Sequence, residues 1–426
     1  MILEFSETMN RSSLEIVGIT LQDNSTATVS HTLTKFSSTD VDGTTFTLAL
    51  SSTDTDVLKR SIICVALSNC FVSISGSAMA DMSDLPVVAI GVGSAKQAAS
   101  LNADATGPIF DASENLDFND ATLTLSFNEP VKPSSVLGSA LALYNDQAIE
   151  ADTVSLNMTG GSSNSSNGRT LVFLFSNTDM NALKFLSREG LCSRTGGGDC
   201  YVGLQPTFID DTSNNTLQPR PLYRTDAVVV DTTRPEVQSV ALDMEQGLIV
   251  MTLDEPVDDA TTALQGITLH NEATLASSSA SLRLGANAST TDSDSTQTSS
   301  VLQASDIQRV KAEVNLCTSL NDCYMSVDST TAEDGSKAAN KVTDVVKQVG
   351  SLTADSTAPS LGDFTNALTL AEADSIALEL IAETAPALFT GTADTYVVIE
   401  NRTFKDAANV SVVTTGAAVQ VGTFTS

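Results

Sequence analysis

The chain has 426 residues, of which 52 are acidic and 21 basic, giving a formal net charge of −31. That balance argues against nucleic acid and anionic membrane headgroups, because both require clustered Lys or Arg, and no run of about 18 apolar residues is long enough to span a bilayer. A 41% hydrophobic fraction, cut into short apolar runs by Ser, Thr and Asp, describes several all-β domains and not a disordered chain.

The first stretch, MILEFSETM, alternates apolar and polar residues up to Glu7, so it reads as a half-buried strand with Leu3 and Phe5 on one face. It opens without a signal peptide, as expected of a mature portion of a longer secreted protein. Two later segments share its frame. LTLSFNEPV places Leu125 and Phe127 inward and closes on Glu129 and Pro130; IVMTLDEPV does the same with Met251, Leu253, Glu255 and Pro256. Proline removes a ladder donor and is expected to stop each strand. A looser copy, ALELIAET, carries Glu383.

Each copy continues with a short strand and a polar turn: ITLQDN from Ile19, LALYND from Leu141, ITLHNE from Ile267. Next come Ser/Thr/Asp/Gly-rich stretches, SSTDVDG, TGGSSNSSNG and ASTTDSDSTQTSS, expected as exposed hairpin tips. After a further strand, Thr53-Asp54, Thr178-Asp179 and Ser305-Asp306 precede Leu58-Lys59, Leu183-Lys184 and Val310-Lys311. Ser, Thr and Asp are helix N-caps, and Ile307, Val310 and Val314 recur at helical spacing, so each copy is predicted to hold a short helix.

An Asp-x-Thr-x-Pro type motif then opens the later copies: DATGP at Asp104, DTTRP at Asp231 and DSTAP at Asp355, spaced 127 and 124 residues apart. This period divides the chain into four immunoglobulin-like β-sandwich repeats. They are residues 1–103, which lack the opening strand, 104–230, 231–354 and the short 355–426. A first repeat without its opening strand leaves a sheet edge that an upstream repeat or a neighbouring subunit's strand could fill.

The six cysteines fall at one point of the first three repeats, as Cys64/Cys70, Cys192/Cys200 and Cys317/Cys323, and an aromatic (Phe71, Tyr201, Tyr324) follows the second of each pair. The fourth repeat has Tyr396 in that setting and neither cysteine, as a bond between the two predicts. Local disulfides are therefore expected, each worth about 2 kcal/mol on the chain-entropy estimate, in an oxidising compartment. Zinc fits poorly, since each cluster offers two thiolates at a spacing other than CxxC and no nearby His.

Sequons occur at Asn10, Asn24, Asn157, Asn164, Asn214, Asn287, Asn401 and Asn409, with Asn24, Asn157 and Asn164 in the most turn-rich surroundings. No catalytic constellation emerges. His31 and His270 lie far apart; His270 occupies the position of Tyr144 in the preceding repeat and reads as a tolerated surface site. GVGSAK, from Gly91 to Lys96, lacks the Gly-Lys-Ser/Thr ending of a phosphate loop and reads as a turn. Glu7, Glu129 and Glu255 recur once per repeat, which suits a structural or cation-binding role better than glycosidase carboxylates.

No cofactor is expected, and calcium is the one ligand with residues to hold it. Oxygen-rich loops near repeat junctions contain Asp104, Asp210, Asp211, Asp231, Asp334 and Asp355. Asp and Asn also populate turns for local hydrogen bonding, the weightier reading.

DTTRP, LDEPV and NEPV, with the Asp/Asn-rich turn that follows them, resemble the bacterial-type Ig-like and cadherin-like tandem repeats of very large surface proteins. They are also similar to repeats in giant cell-surface motility proteins of cyanobacteria and in surface proteins of algae and other protists. The resemblance spans the chain and is specific to an architecture that serves stalks, adhesins and filament subunits alike. The cysteine pair departs from the commonest bacterial form and, with the sequons, implies a eukaryotic secretory protein such as a flagellar hair, or mastigoneme. The function this implies is a structural, self-associating and glycosylated segment of an extracellular filament, stalk or flagellar appendage; the alternative is a cell-surface adhesin whose loops bind glycans or a surface.

Overall fold

The computed structural model describes residues 1–196, 198–286, 289–290, 295–357, 396–397 and 419–420. By its contacts the chain divides into two compact units, Met1–Thr232 with Ser336–Ala338, and Thr233–Gly335 with Ala339–Ser426. Both are mostly β with several sheets; among the described residues the first holds two short α-helices and two local disulfides, the second one of each.

The plan is most complete between Phe110 and Val229 of the first unit. Strand Thr122–Val131 lies between Phe110–Asp117 and Gly168–Leu174, while Leu141–Tyr144 lies between Ser155–Asn157 and Tyr201–Leu204, all antiparallel. Tyr223–Val229 serves both groups: it begins antiparallel to Tyr201–Leu204 and from Thr225 runs parallel to Phe110–Asp117. A last strand that changes partner brings two sheets over one core. Leu123, Leu125 and Phe127 point into that core and the residues between them are half-buried, as the alternation predicts.

In the earlier part of this unit, Ile2–Met9 pairs with Gly43–Thr47, and Ile19–Gln22 lies between Ser30–Thr32 and Phe71–Ile74. No described residue provides a counterpart of Phe110–Asp117. The second unit repeats the two groups. Leu248–Leu253 lies between Val237–Asp243 and Gln297–Val301, and Ile267–His270 between Ser281–Arg283 and Tyr324–Val327. Here the last strand is broken in two: Val345–Gln348 pairs antiparallel with Tyr324–Val327, and Ser351–Thr353 runs parallel to Val237–Asp243.

Three local expectations are corrected. Pro130 does not stop its strand, which runs on to Val131; the missing donor falls where the register shifts between Ser126 and Val131. The helices, α1 (Ser52–Arg60), α2 (Asn177–Arg188) and α3 (Ala304–Ala312), start earlier than expected, with N-caps Ser51, Ser176 and Gln303, so Asp54, Asp179 and Asp306 sit at the third helical position. Val314 lies beyond α3 and is exposed. The later two Ser-rich stretches are not free tips: Ser162 pairs with Leu174, Ser163 Oγ donates to the Val172 carbonyl, and Thr298 to Ser300 are buried in a strand, whereas the first, SSTDVDG, is a largely exposed loop between strands. In the fourth repeat, Glu383, Asn401 and Asn409 lie outside the described residues, as does Asn287 in the third; Tyr396 starts a two-residue strand, Tyr396–Val397, paired with Val419–Gln420.

The disulfides Cys64–Cys70, Cys192–Cys200 and Cys317–Cys323 are formed as the repeat predicts. In every pair the first cysteine adopts a left-handed backbone, with φ of 57°, 52° and 53°, a conformation costing about 1–2 kcal/mol for a residue with a Cβ. Its N–H donates to the carbonyl of the residue before the second cysteine, at 2.9, 2.9 and 3.0 Å, so hydrogen bond and disulfide close the same loop and hold the turn. Replacing Cys64 and Cys70 together by Ser is expected to lower the unfolding free energy of the first unit by about 2 kcal/mol, read as an earlier urea midpoint. Three formed disulfides mark an oxidising compartment. No helix among the described residues is long and apolar enough to cross a membrane.

Candidate functional site

The three helices share a buried aspartate in the first turn, and the first two share a serine cap as well. Ser51 Oγ accepts from the Asp54 N–H and donates to the Asp54 carboxylate, and Ser176 does the same with Asp179, a reciprocal cap at the first turn. The buried carboxylate then collects the loop that follows the hairpin. Asp54 accepts from Thr34 N–H and Oγ1, from Lys35 N–H and from His31 Nε2; Asp179 accepts from Thr159 N–H and Oγ1 and from Gly160 N–H; Asp306 accepts from Gly285 N–H and from Arg309. Burial opposes the charge on Asp54, yet these bonds outweigh it and hold its carboxyl far below the usual range.

With its start anchored, each helix presents its eighth residue to the same target. Lys59 Nζ lies 2.8 Å from Asp104, Lys184 Nζ 3.1 Å from Asp231 and Lys311 Nζ 2.7 Å from Asp355. The aspartates are those of the Asp-x-Thr-x-Pro type motifs. What reads in sequence as the opening of one repeat is thus bonded to the helix of the repeat before it. A second tie follows at two of the three linkers. Asn119 Oδ1 accepts from Thr232 N–H and Oγ1 at 2.8 and 3.0 Å, and Glu245 accepts from the N–H groups and hydroxyls of Ser356 and Thr357. Hydrogen bonds from Thr357 and Ser356 hold the Glu245 carboxyl down to about 2. Asn119 and Glu245 both belong to the turn after the opening strand, which residues 1–103 lack. At the first linker Thr106 instead bonds Asp104 itself.

The first latch has a third member. Glu129, buried at the end of its strand, also accepts from Lys59 Nζ, and carboxylate oxygens of Asp104, Glu129 and Asp211 lie within 4.8 Å of one another. Burial lowers the Lys59 pKa, but Asp104 and Glu129 outweigh it and push the pKa up. Burial raises Asp104, but Lys59 and Thr106 outweigh it and hold the carboxyl down; at Glu129 burial prevails and pushes the carboxyl up. Lys59→Met removes the cation that three carboxylates share the space with. A loss of about 2 kcal/mol is expected at neutral pH, below the value for a fully buried pair because Lys59 is partly solvated. A raised carboxyl is stabilising in its protonated form, so this loss should shrink as the pH falls and Glu129 takes up a proton, in urea titrations at a series of pH values.

The calcium candidates are otherwise engaged. Asp104 and Asp231 meet lysines, and so does Asp355. Asp211 accepts from Ser213 and Asn215 N–H and from Asn215 Nδ2, and Asp334 accepts from Asn340 N–H and Nδ2, both closing turns. Asp210 is half-buried and bonds through its main chain to Ser135 and Lys132. A hard cation needs six to eight oxygens; around Asp104 three carboxylates lie close together and the Lys59 ammonium bonds two of them.

The recurring glutamates are not equivalent: Glu7 is exposed, whereas Glu129 and Glu255 are buried, Glu255 accepting from Thr233 Oγ1 at 3.4 Å. His270 is not a surface position. It is fully buried, bonds the Glu272 carbonyl through Nδ1 at 2.7 Å and Ser326 Oγ through Nε2 at 2.8 Å, and stacks on Tyr324. Burial lowers its pKa. Gln22, at the same point of the first repeat, is likewise buried and bonded, to the carbonyls of Asn24 and Val92. Among the sequons, Asn157, Asn164 and Asn214 are exposed, while Asn10 and Asn24 are half-buried and use their side chains in local turns.

No protein-family model and no curated protein matches the sequence. Among solved structures, the crystal structure of the FN1–FN3 domains of chicken CNTN1 is similar over 82% of this chain and 89% of that one, at 8% identity and a TM-score of 0.21. No residue correspondence is drawn from it.

Proposed function

We propose that the chain is a structural segment of an extracellular filament, stalk or flagellar appendage, built from tandem immunoglobulin-like repeats and acting through length, stiffness and self-association, not as an enzyme. The observation that carries this reading is the recurring latch of Lys59 on Asp104, Lys184 on Asp231 and Lys311 on Asp355. A linker bonded at its first residue to the helix before it is held at that point, a property useful to a load-bearing chain and of no use to a catalytic pocket. The immunoglobulin-like assignment is supported by the two strand groups and by the parallel run of the last strand beside the first. Disulfides support secretion, and exposed Asn157, Asn164 and Asn214 are the proposed glycan carriers.

Electron microscopy of the native particle is the test. A regular polymer containing this chain is the expected result; isolated particles that bind a glycan array saturably would overturn it in favour of an adhesin.

A further inference from the structure

We infer that the open side of strand Ile2–Met9 is a docking site for an extended segment of a partner polypeptide, one with alternating apolar residues and an apolar leading end. In the later repeats the counterparts of this strand are enclosed. Thr122–Val131 and Leu248–Leu253 each have a strand on both sides, and the inward residues Phe127 and Leu253 are 2% and 4% exposed. Ile2–Met9 has only Gly43–Thr47 beside it among the described residues, and Leu3 and Phe5, at the same inward positions, are half-buried. The absent strand also lacks its second neighbour. Ala98 N–H donates to the Cys70 carbonyl as Thr225 does to Cys200 and Val349 to Cys323. Yet where Thr225–Val229 and Ser351–Thr353 then run parallel to an opening strand, residues 99–102 pair with no described strand. A strand open on one side, with half-exposed apolar side chains, accepts a further strand.

The turn beside this edge selects the kind of strand. Met9, Val131 and Val257 bridge to Asp81, Asp211 and Asp334, and these aspartates accept from the N–H groups of Leu85, Asn215 and Asn340, so the three turns correspond residue by residue. In the later repeats the turn grips the segment that leads into the opening strand. Asn215 Nδ2 donates to the Asp104 carbonyl, Gln218 Nε2 to that of Gly107, and the N–H groups of Gln218 and Thr343 to those of Pro108 and Pro235. The first repeat has Leu85 and Val88 where the second has Asn215 and Gln218, and Met82 in place of Thr212; they are 63%, 87% and 57% exposed. Such side chains form no hydrogen bonds to a polar lead of the Asp-x-Thr-x-Pro type, and together they make an apolar rim at the end of the open edge. A partner strand led by apolar residues satisfies edge, core and rim at once.

The site belongs to the folded chain and does not depend on the filament reading. It is tested by titrating the full chain with two synthetic peptides: residues 104–118, the opening strand of the second repeat with its polar lead, and the same peptide carrying Asp104→Leu and Thr106→Leu. Both are expected to bind and to slow hydrogen exchange of the amides between Ile2 and Met9. The leucine-led peptide is expected to bind about tenfold more tightly, since covering exposed apolar side chains adds to affinity. Leu85→Asn with Val88→Gln gives these exposed positions the residues of the second repeat, and is expected to abolish that preference at unchanged circular dichroism. Absence of binding by either peptide, or protection only outside Ile2–Met9, overturns the site. Equal or tighter binding of the polar-led peptide assigns the edge to an opening strand of the repeat type, and a dimer of the chain that dissociates on the double substitution assigns it to a second copy; either result overturns the apolar-led partner.

Discussion

Asp179→Ala should lower the unfolding free energy of the first unit by about 3 kcal/mol, read as a fall in the urea midpoint at unchanged slope. The carboxylate is 1% exposed and accepts four hydrogen bonds, three from the loop (Thr159 N–H and Oγ1, Gly160 N–H) and one from Ser176 Oγ at its own helix turn, at 2.8 to 3.1 Å. Bonds to a charged acceptor contribute more than neutral ones, and a truncated side chain leaves every donor to find water or go without. Thr159 is exposed enough to recover part of its share from water, which keeps the loss near 3 kcal/mol and not above it. Asp179→Asn should retain roughly half of the lost stability, since one amide oxygen replaces two carboxylate oxygens. An alanine variant with an unchanged midpoint would show that the loop and α2 hold together without the carboxylate.

The same anchor in the first repeat supplies a pH signature. Hydrogen bonds hold the Asp54 carboxyl far below its ordinary value of 3.8. A depressed carboxyl contributes stability that is present in full above the unfolded value and lost as the pH falls below it. The gap between wild type and Asp54→Asn should therefore be constant near neutrality and narrow below about pH 4. A gap that widens on acidification would contradict the sign.

How far the sequence revealed these features depended on the range over which each signal acts. Strand alternation at Leu125 and Phe127 and the spacing of Cys64 and Cys70 are local patterns, and local patterns survive in one dimension. The latch was half visible: Lys59 and Asp104 each belong to a recurring motif, but nothing in a linear reading says that the end of one motif reaches the start of the next. Their joint recurrence with Lys184, Asp231, Lys311 and Asp355 is the signal that could have paired them. The surface reading of His270 fails because it rests on Tyr144, a half-buried residue on a strand end; Gln22, the third residue at this point of the repeat, marks a position that holds polar side chains indoors. The N-caps lie two or three residues before the residues of the Thr-Asp and Ser-Asp pairs, and the sequence does not separate the two because these pairs fit the cap preference as well as Ser51 and Ser176 do, and Gln303 carries no cap signal. Composition does not register Ser163 bonding the neighbouring strand, so the second Ser-rich stretch reads as a free tip and is not one.

Phe173→Ala is expected to cost about 3–5 kcal/mol, at least as much as the loss of the Asp179 carboxylate. Phe173 is fully buried, opposite Leu123 across the strand pair, with Phe175 edge-on at 5.2 Å and Phe208 at 6.0 Å. Its ring tip also lies where a side chain on Gly161 would begin, 2.1 Å from an added Cβ, and Gly161 has φ of 125°, open only to glycine. The turn and the ring are therefore fitted to each other, so a truncated residue leaves a cavity that the turn cannot fill by moving inward with a side chain of its own. The second unit provides the control. Ser300 faces Ile249 as Phe173 faces Leu123, and is equally buried, in a core that includes Met244, Met251 and Met325. Unbranched methionines fill irregular space that a missing ring would otherwise leave. The Ser300 hydroxyl has no hydrogen-bond partner among the described residues, so Ser300→Ala should be near neutral or slightly stabilising. Equal losses at 173 and 300 in parallel urea titrations would mean that the two cores are packed alike after all; a loss confined to 173 would locate the difference between the repeats in the side chains that fill a shared β plan.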